Sequence, residues 1–122
     1  MCGIIGINSS KPVSSTIINS LKKLEYRGYD SAGIATLSRG EINEIKSEGR
    51  VDNLEKNSLV QSMNGTIGIG HVRWATHGLP NSINAHPHSS KNVSVVHNGI
   101  IENSTLLKKF LVGKGHKFKS QT

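Results

Sequence analysis

Cys2 is the only cysteine in the chain and stands directly behind the initiator methionine. An initiator Met followed by a small side chain is ordinarily removed, which would leave Cys2 as the N-terminal residue. Thiol and α-amine would then sit on one residue. The amine titrates near ~7.7–8.0, so part of it is an available base at neutral pH. That is the logic of N-terminal nucleophiles, in which nucleophile and base arrive together and no separate histidine is needed. Gly3 lets a substrate approach the backbone closely. Taken alone, Cys2 reads more readily as a small buried hydrophobe in a strand.

Other residues carry chemistry only in combination. Arg73-Trp74-Ala75-Thr76-His77-Gly78 follows a strand-like run. An Arg at a strand end could clamp a carboxylate through two parallel hydrogen bonds, or serve a structural salt bridge. Trp74, the only tryptophan, could keep water from a small site or simply fill the core. Asn98-Gly99 is a common turn pair, yet an Asn amide beside a Gly N–H is also a working oxyanion hole.

Five of the six histidines (71, 77, 86, 88 and 97) fall within 27 residues. No second Cys and no paired HxxxH spacing completes a zinc set, so hydrogen bonding around a polar site is the better reading. Gly65, Gly68 and Gly70 lack the Lys-Ser/Thr of a phosphate loop, and Arg73 stands where a dinucleotide fingerprint needs its third glycine. The four N-x-S/T sequons carry no meaning without a secretory route.

These residues need elements to hold them. Gly3 to Asn8 reads as a short buried strand. Val13, Ile17, Ile18, Leu21 and Leu24 recur at helical spacing behind Pro12. A glycine-broken loop follows, Tyr26 to Ser31. Runs 33–38 and 41–46 flank Arg39-Gly40 as a hairpin. Residues 51–61 are weakly helical. Thr66 to Trp74 is a strand with Ile67, Ile69, His71 and Arg73 on one face. A long polar loop, 75–91, leads to Val93, Val95 and Val96 and the Asn98-Gly99 turn. Asn103 or Ser104 then caps a helix with Leu106, Leu107, Phe110 and Leu111 in one stripe, ended by Gly113. His116 to Ser120 reads as a further strand, with Phe118 in its alternation. The pattern predicts an α+β fold whose sheets need more covering than 122 residues supply.

Composition bounds the classes. The chain is 34% apolar, enough for one modest core, and one cysteine excludes a disulfide-stapled scaffold. No apolar run approaches a membrane span, and the first fifteen residues hold no secretory h-region, so a cytoplasmic protein is expected. The net charge is +7, and residues 103–122 contribute five Lys and no acid. A nucleic-acid binder would interleave such Lys with Arg and stacking aromatics, so nucleic acid and membrane are not expected partners.

The motifs together are specific. Met1-Cys2-Gly3-Ile4-Ile5-Gly6, Tyr26 to Gly33, His71 to Gly78, Asn84-Ala85-His86-Pro87-His88 and Val96 to Asn103 occur in order along the chain. In them the sequence closely resembles the N-terminal glutaminase domain of the glutamine–fructose-6-phosphate aminotransferase family. These are class II glutamine amidotransferases, N-terminal nucleophile hydrolases with a four-layer αββα fold. The resemblance runs over all 122 residues and implies one type-2 amidotransferase domain, 1–122, without sugar isomerase domains.

The resemblance also implies roles. Cys2 would attack the side-chain amide of L-glutamine, with its α-amine relaying the proton, and water would hydrolyse the resulting thioester. Asn98 and Gly99 would hold the oxyanion. Arg73 would grip the α-carboxylate, Thr76 and His77 would line its pocket, and Trp74 would shield it. Arg27, His86 and His97 would lie near the nucleophile. No cofactor or metal is implied. In the whole enzyme the ammonia converts fructose 6-phosphate to glucosamine 6-phosphate.

The family has an aspartate after the stretch matching Ser120-Gln121-Thr122, and an acid where Gln121 stands. A form truncated at its C-terminal end is therefore expected, weak or inactive alone and served by a second chain carrying the missing half-domain and isomerase domains. A non-catalytic remnant pairing with another chain is the alternative. A basic metal- or nucleic-acid-binding module is the third.

Overall fold

Four strands with apolar alternation build the centre of the molecule. The structure is a computed structural model describing residues 1–122. In it β1 (Gly3–Asn8), β2 (Ser31–Ser38), β3 (Glu41–Glu48) and β4 (Ile67–Arg73) form one antiparallel sheet in the order β1-β4-β2-β3. Arg39 and Gly40 close the β2–β3 hairpin with φ of 51° and 77°, the paired positive values whose twist suits a two-residue turn.

α1 (Ser14–Leu24) crosses one face and buries Val13, Ile17, Ile18 and Leu21 against it. The close approach depends on β4. A Cβ at Gly68 would stand 2.6 Å from Ile17 Cδ1, and one at Gly70 would stand 2.5 Å from Ile17 Cγ2. These two glycines are therefore helix-docking points. The single weak helix expected over 51–61 is two short ones, α2 (Val51–Glu55) and α3 (Ser58–Gln61). Asn57 separates them and caps α3 by accepting from Leu59 N–H at 3.1 Å. Val51, Leu54, Val60 and Met63 complete the core, each burial worth roughly 1.5–3 kcal/mol.

The opposite face carries Gly33, His71 and Arg73, because residues paired across strands share a face and Gly33 lies opposite His71. Over it runs a short ribbon, β5 (His88–Ser90) paired with β6 (Val93–Val95). Lys46 Nζ donates to Pro87 O at 3.2 Å, and Ser89 Oγ bonds the Glu44 carboxylate, which pins the ribbon to β3. The α+β class is as expected, with helices, a four-stranded sheet and a two-stranded sheet stacked in that order.

Three expectations need correction. β5 lies inside the stretch read as a polar loop, since three polar residues show no alternation. β1 is an edge strand with alternate residues open, not a buried one; Ile4 is 41% exposed. His116 to Ser120 is not a strand, because no neighbouring strand pairs with it. As expected, α4 (Ser104–Gly113) carries the Leu106, Leu107, Phe110 and Leu111 stripe, and it buries none of it; Leu106 and Phe110 are 72% and 61% exposed. Its N-cap, Asn103, makes no side-chain capping bond.

Candidate active site

Antiparallel pairing of β1 with β4 sets Gly3 opposite Val72, which delivers Cys2 to the exit of β4. Trp74 N–H donates to Cys2 Sγ at 3.2 Å, and the thiol faces Trp74 O at 3.7 Å. Cys2 itself is half-buried, while Met1 is 84% exposed and stands clear of the fold.

The loop before β2 locks this exit in place. Gly28 packs on the Arg73–Trp74 peptide. Asp30 N–H donates to Arg73 O at 3.2 Å, and the Asp30 carboxylate accepts from Ala75 N–H and, at 2.9 Å, from Ser31 Oγ. Arg27 turns to its neighbour: Nε donates to Tyr26 Oη at 3.1 Å, with the guanidinium 5.3 Å from the Tyr26 ring centre.

Arg73 is buried, 4% exposed, and donates to Leu79 O at 3.0 Å and to His77 O. None of the ion pairs in the chain includes it, so the structural salt bridge left open by the sequence is not formed. A guanidinium withdrawn from water with only neutral carbonyls is electrostatically uncompensated and suited to a carboxylate. Thr76 and His77 are exposed and bond each other, Oγ1 to Nδ1 at 3.1 Å. Trp74 is 48% exposed and meets Tyr29 edge to face at 5.6 Å, so it borders the site without being core.

Asn98 comes from the far end of the chain. Its Nδ2 donates to Cys2 O at 3.1 Å, and its Oδ1 is 2.9 Å from His71 Nε2. Asn98-Gly99 forms a bend rather than a strand-joining turn, because no strand follows it. Gly99 has φ 150°, and a Cβ there would stand 3.0 Å from the His97 ring. The Cys2 thiol, the Asn98 amide and the buried Arg73 guanidinium thus share one end of the four-stranded sheet.

Below them lies a histidine stack. His71 and His86 rings are parallel within 19° at 4.4 Å, and His88 follows at 4.5 Å from His86. Burial pushes the imidazoles toward neutrality, His71 down to about 4 and His86 to about 3, with His88 also lowered. His86 Nδ1 accepts from His97 N–H at 3.3 Å, which ties the loop before Asn98 to the stack. Gly33 permits this layer, since a Cβ there would fall 2.1 Å from His86 O. The rings stack instead of converging, and no group of three His, Cys, Asp or Glu side chains is arranged to hold a metal ion.

Three positioning residues carried no assigned role in the sequence reading. Asp30 and His71 are two. The third, Asn84, is fully buried and exchanges paired bonds with Gln121, each 2.8 Å, while donating to Leu79 O at 3.0 Å. For His71 the signal was present: it shares a strand face with Arg73. For the other two only the tertiary contacts show what they do.

No family model matches the chain. Among curated proteins it is 55% identical over 122 residues to the glutamine–fructose-6-phosphate aminotransferase (isomerizing) of Mesorhizobium japonicum. It is 56% identical over 124 residues to that of Clostridium acetobutylicum. Both alignments cover the whole of this chain and 20% of the relative, so the chain spans about a fifth of the length of the curated relatives it matches. Among solved structures, the glutamine phosphoribosylpyrophosphate amidotransferase of B. subtilis superposes with a TM-score of 0.83 at 27% identity, covering all of this chain and 27% of that one. A second structure, described as the allosteric regulatory enzyme of purine biosynthesis, gives a TM-score of 0.83 at 28% identity over 98% of this chain and 27% of its own. The chain is therefore homologous to a segment of the glutamine–fructose-6-phosphate aminotransferases and has the fold of a class II amidotransferase segment.

Proposed function

We propose that this homologue of the glutamine–fructose-6-phosphate aminotransferases is the glutamine-hydrolysing part of such an enzyme, with residues 1–122 forming a type-2 amidotransferase segment. Its substrate is L-glutamine and its nucleophile is Cys2 after loss of Met1. The Sγ–carbon bond forms at the glutamine side-chain amide, and the former carbonyl oxygen takes up negative charge. Asn98 Nδ2 and the Gly99 N–H hold that oxyanion. The freed α-amine takes the thiol proton as the Sγ–carbon bond forms and hands it to the leaving nitrogen; the oxyanion collapses, the carbon–nitrogen bond breaks, and ammonia departs. Water then cleaves the thioester to give glutamate and restore the thiol.

Arg73 holds the glutamine α-carboxylate, with Thr76, His77 and Trp74 around it. Arg27 stands in the loop before β2 that packs on the Arg73–Trp74 peptide, and His86 anchors the His97 backbone beside Asn98. Amination of fructose 6-phosphate is the reaction of relatives five times as long; this chain's share of it is the supply of ammonia.

One observation carries this reading. Cys2 is bonded to Trp74 and Asn98, 72 and 96 residues away in sequence, so nucleophile and amide donor meet by folding alone. The exposed stripe of α4 favours a second reading, a binding subunit paired with another chain. Glutamate release from glutamine by the purified, Met-processed chain, beside a Cys2→Ala control, separates them. Release abolished by the substitution supports the glutaminase; release that is absent, or unchanged by Cys2→Ala, refutes it for this chain.

A further inference from the structure

We propose that His71 is a positioning residue which holds the Asn98 side-chain amide with its NH2 group turned toward Cys2. The inference rests on the glutaminase reading for its consequence in catalysis, and on geometry for the positioning itself.

Asn98 lies in an exposed bend after β6, where an amide rotates freely unless both its ends are bonded. Here both ends are. Nδ2 donates to Cys2 O at 3.1 Å, and Oδ1 meets His71 Nε2 at 2.9 Å. Both Cys2 O and Asn98 Oδ1 can only accept, so this orientation requires the imidazole proton on Nε2. With the proton on Nδ1, Nε2 would be an acceptor and would draw the NH2 group to itself. The Asn98 oxygen would then face the Cys2 carbonyl and the place where the oxyanion forms, two repulsive contacts in one turn of the amide.

The ring that makes this choice cannot move. His71 is 1% exposed in the interior strand β4, with Gly33 opposite it on one side and His86 stacked on it at 4.4 Å. Its other nitrogen, Nδ1, is buried with no hydrogen-bond partner. A proton on Nδ1 would be a buried donor with nothing to bond, whereas on Nε2 it meets Asn98 Oδ1, so burial and partnering select the same tautomer. Burial keeps the ring neutral, so a single proton is available and the choice is binary.

The experiment uses the 122-residue chain, His71→Leu, His71→Gln and ¹⁵N-labelled protein. Long-range imidazole spectra at pH 7 are expected to show His71 as the neutral Nε2–H tautomer. In His71→Leu the Asn98 side-chain protons should exchange with solvent at least tenfold faster, while alkylation of Cys2 keeps its rate within twofold. Where the chain releases glutamate, His71→Leu should lower kcat at least tenfold with KM within about twofold, and His71→Gln, which restores an N–H donor, should recover most of it. A merely structural role would move KM, Cys2 alkylation and the urea midpoint together. An Nδ1–H tautomer, unchanged Asn98 exchange, or unchanged kcat in His71→Leu overturns the proposal. If wild type releases no glutamate, the glutaminase reading fails and the tautomer with Asn98 exchange still decides the positioning. If His71→Leu does not fold, the wild-type tautomer decides it.

Discussion

Gly28 lies flat against the carbonyl end of Arg73. A Cβ at position 28 would stand 2.5 Å from the Arg73 carbonyl carbon and 2.7 Å from the Trp74 nitrogen. That peptide is the one whose N–H bonds Cys2 Sγ. Backbone, unlike the end of a long side chain, cannot step aside cheaply, so Gly28→Ala is expected to cost about 1–3 kcal/mol of stability. It should also weaken the Trp74–Cys2 bond. Urea midpoints and the rate of Cys2 alkylation at fixed pH, wild type beside variant, check both.

The histidine stack makes stability depend on pH. His71 and His86 protonate in the folded chain only near about 4 and about 3, whereas unfolded imidazoles protonate near ~6.5. Between those values the unfolded chain binds more protons, so stability rises with pH. The contribution is fully present above ~6.5 and is lost as pH falls from there through about 4 and about 3. Urea midpoints are expected to decline from pH 7 to pH 5, before most carboxylates titrate. His86→Phe, which stacks but takes no proton, should flatten the decline.

Arg73→Lys is expected to raise the KM for glutamine about 10- to 100-fold, the loss of one charge-assisted pair worth ~1.5–3 kcal/mol, with a smaller change in kcat. Lysine keeps the charge but cannot reach Leu79 O and His77 O while also presenting a fork to a carboxylate. Steady-state kinetics on the two forms checks the split. An equal loss in kcat at unchanged KM would remove Arg73 from ground-state binding.

Leu106→Lys with Phe110→Glu on α4 should leave the unfolding free energy from urea titration within about 0.5 kcal/mol, since neither side chain is buried. Self-association at high protein concentration, followed by sedimentation, should fall. A large loss of stability would mean the stripe is packed in solution.

How far the sequence reached can be seen residue by residue. The β2–β3 hairpin was legible because Arg39-Gly40 announces a turn locally, and α1 because five apolar residues keep helical period. The conjunction of Cys2, Arg73 and Asn98-Gly99 was legible as a set of motifs. β5 was not, since its pairing with β6 owes nothing to an apolar pattern. The strand read over His116 to Ser120 failed for the converse reason: alternation makes a strand only where another strand pairs with it.

What the sequence determined by itself was the chemistry on offer, a thiol, a guanidinium and an amide donor, and the local elements that carry them. Tertiary structure alone decided their meeting. Register between β1 and β4 brings Cys2 to Trp74; the glycines at 28 and 33 let a loop and the histidine layer close to contact; His71 chooses which end of Asn98 faces the nucleophile. Such choices depend on contacts between residues as many as 96 apart, and no local propensity encodes the distance between them.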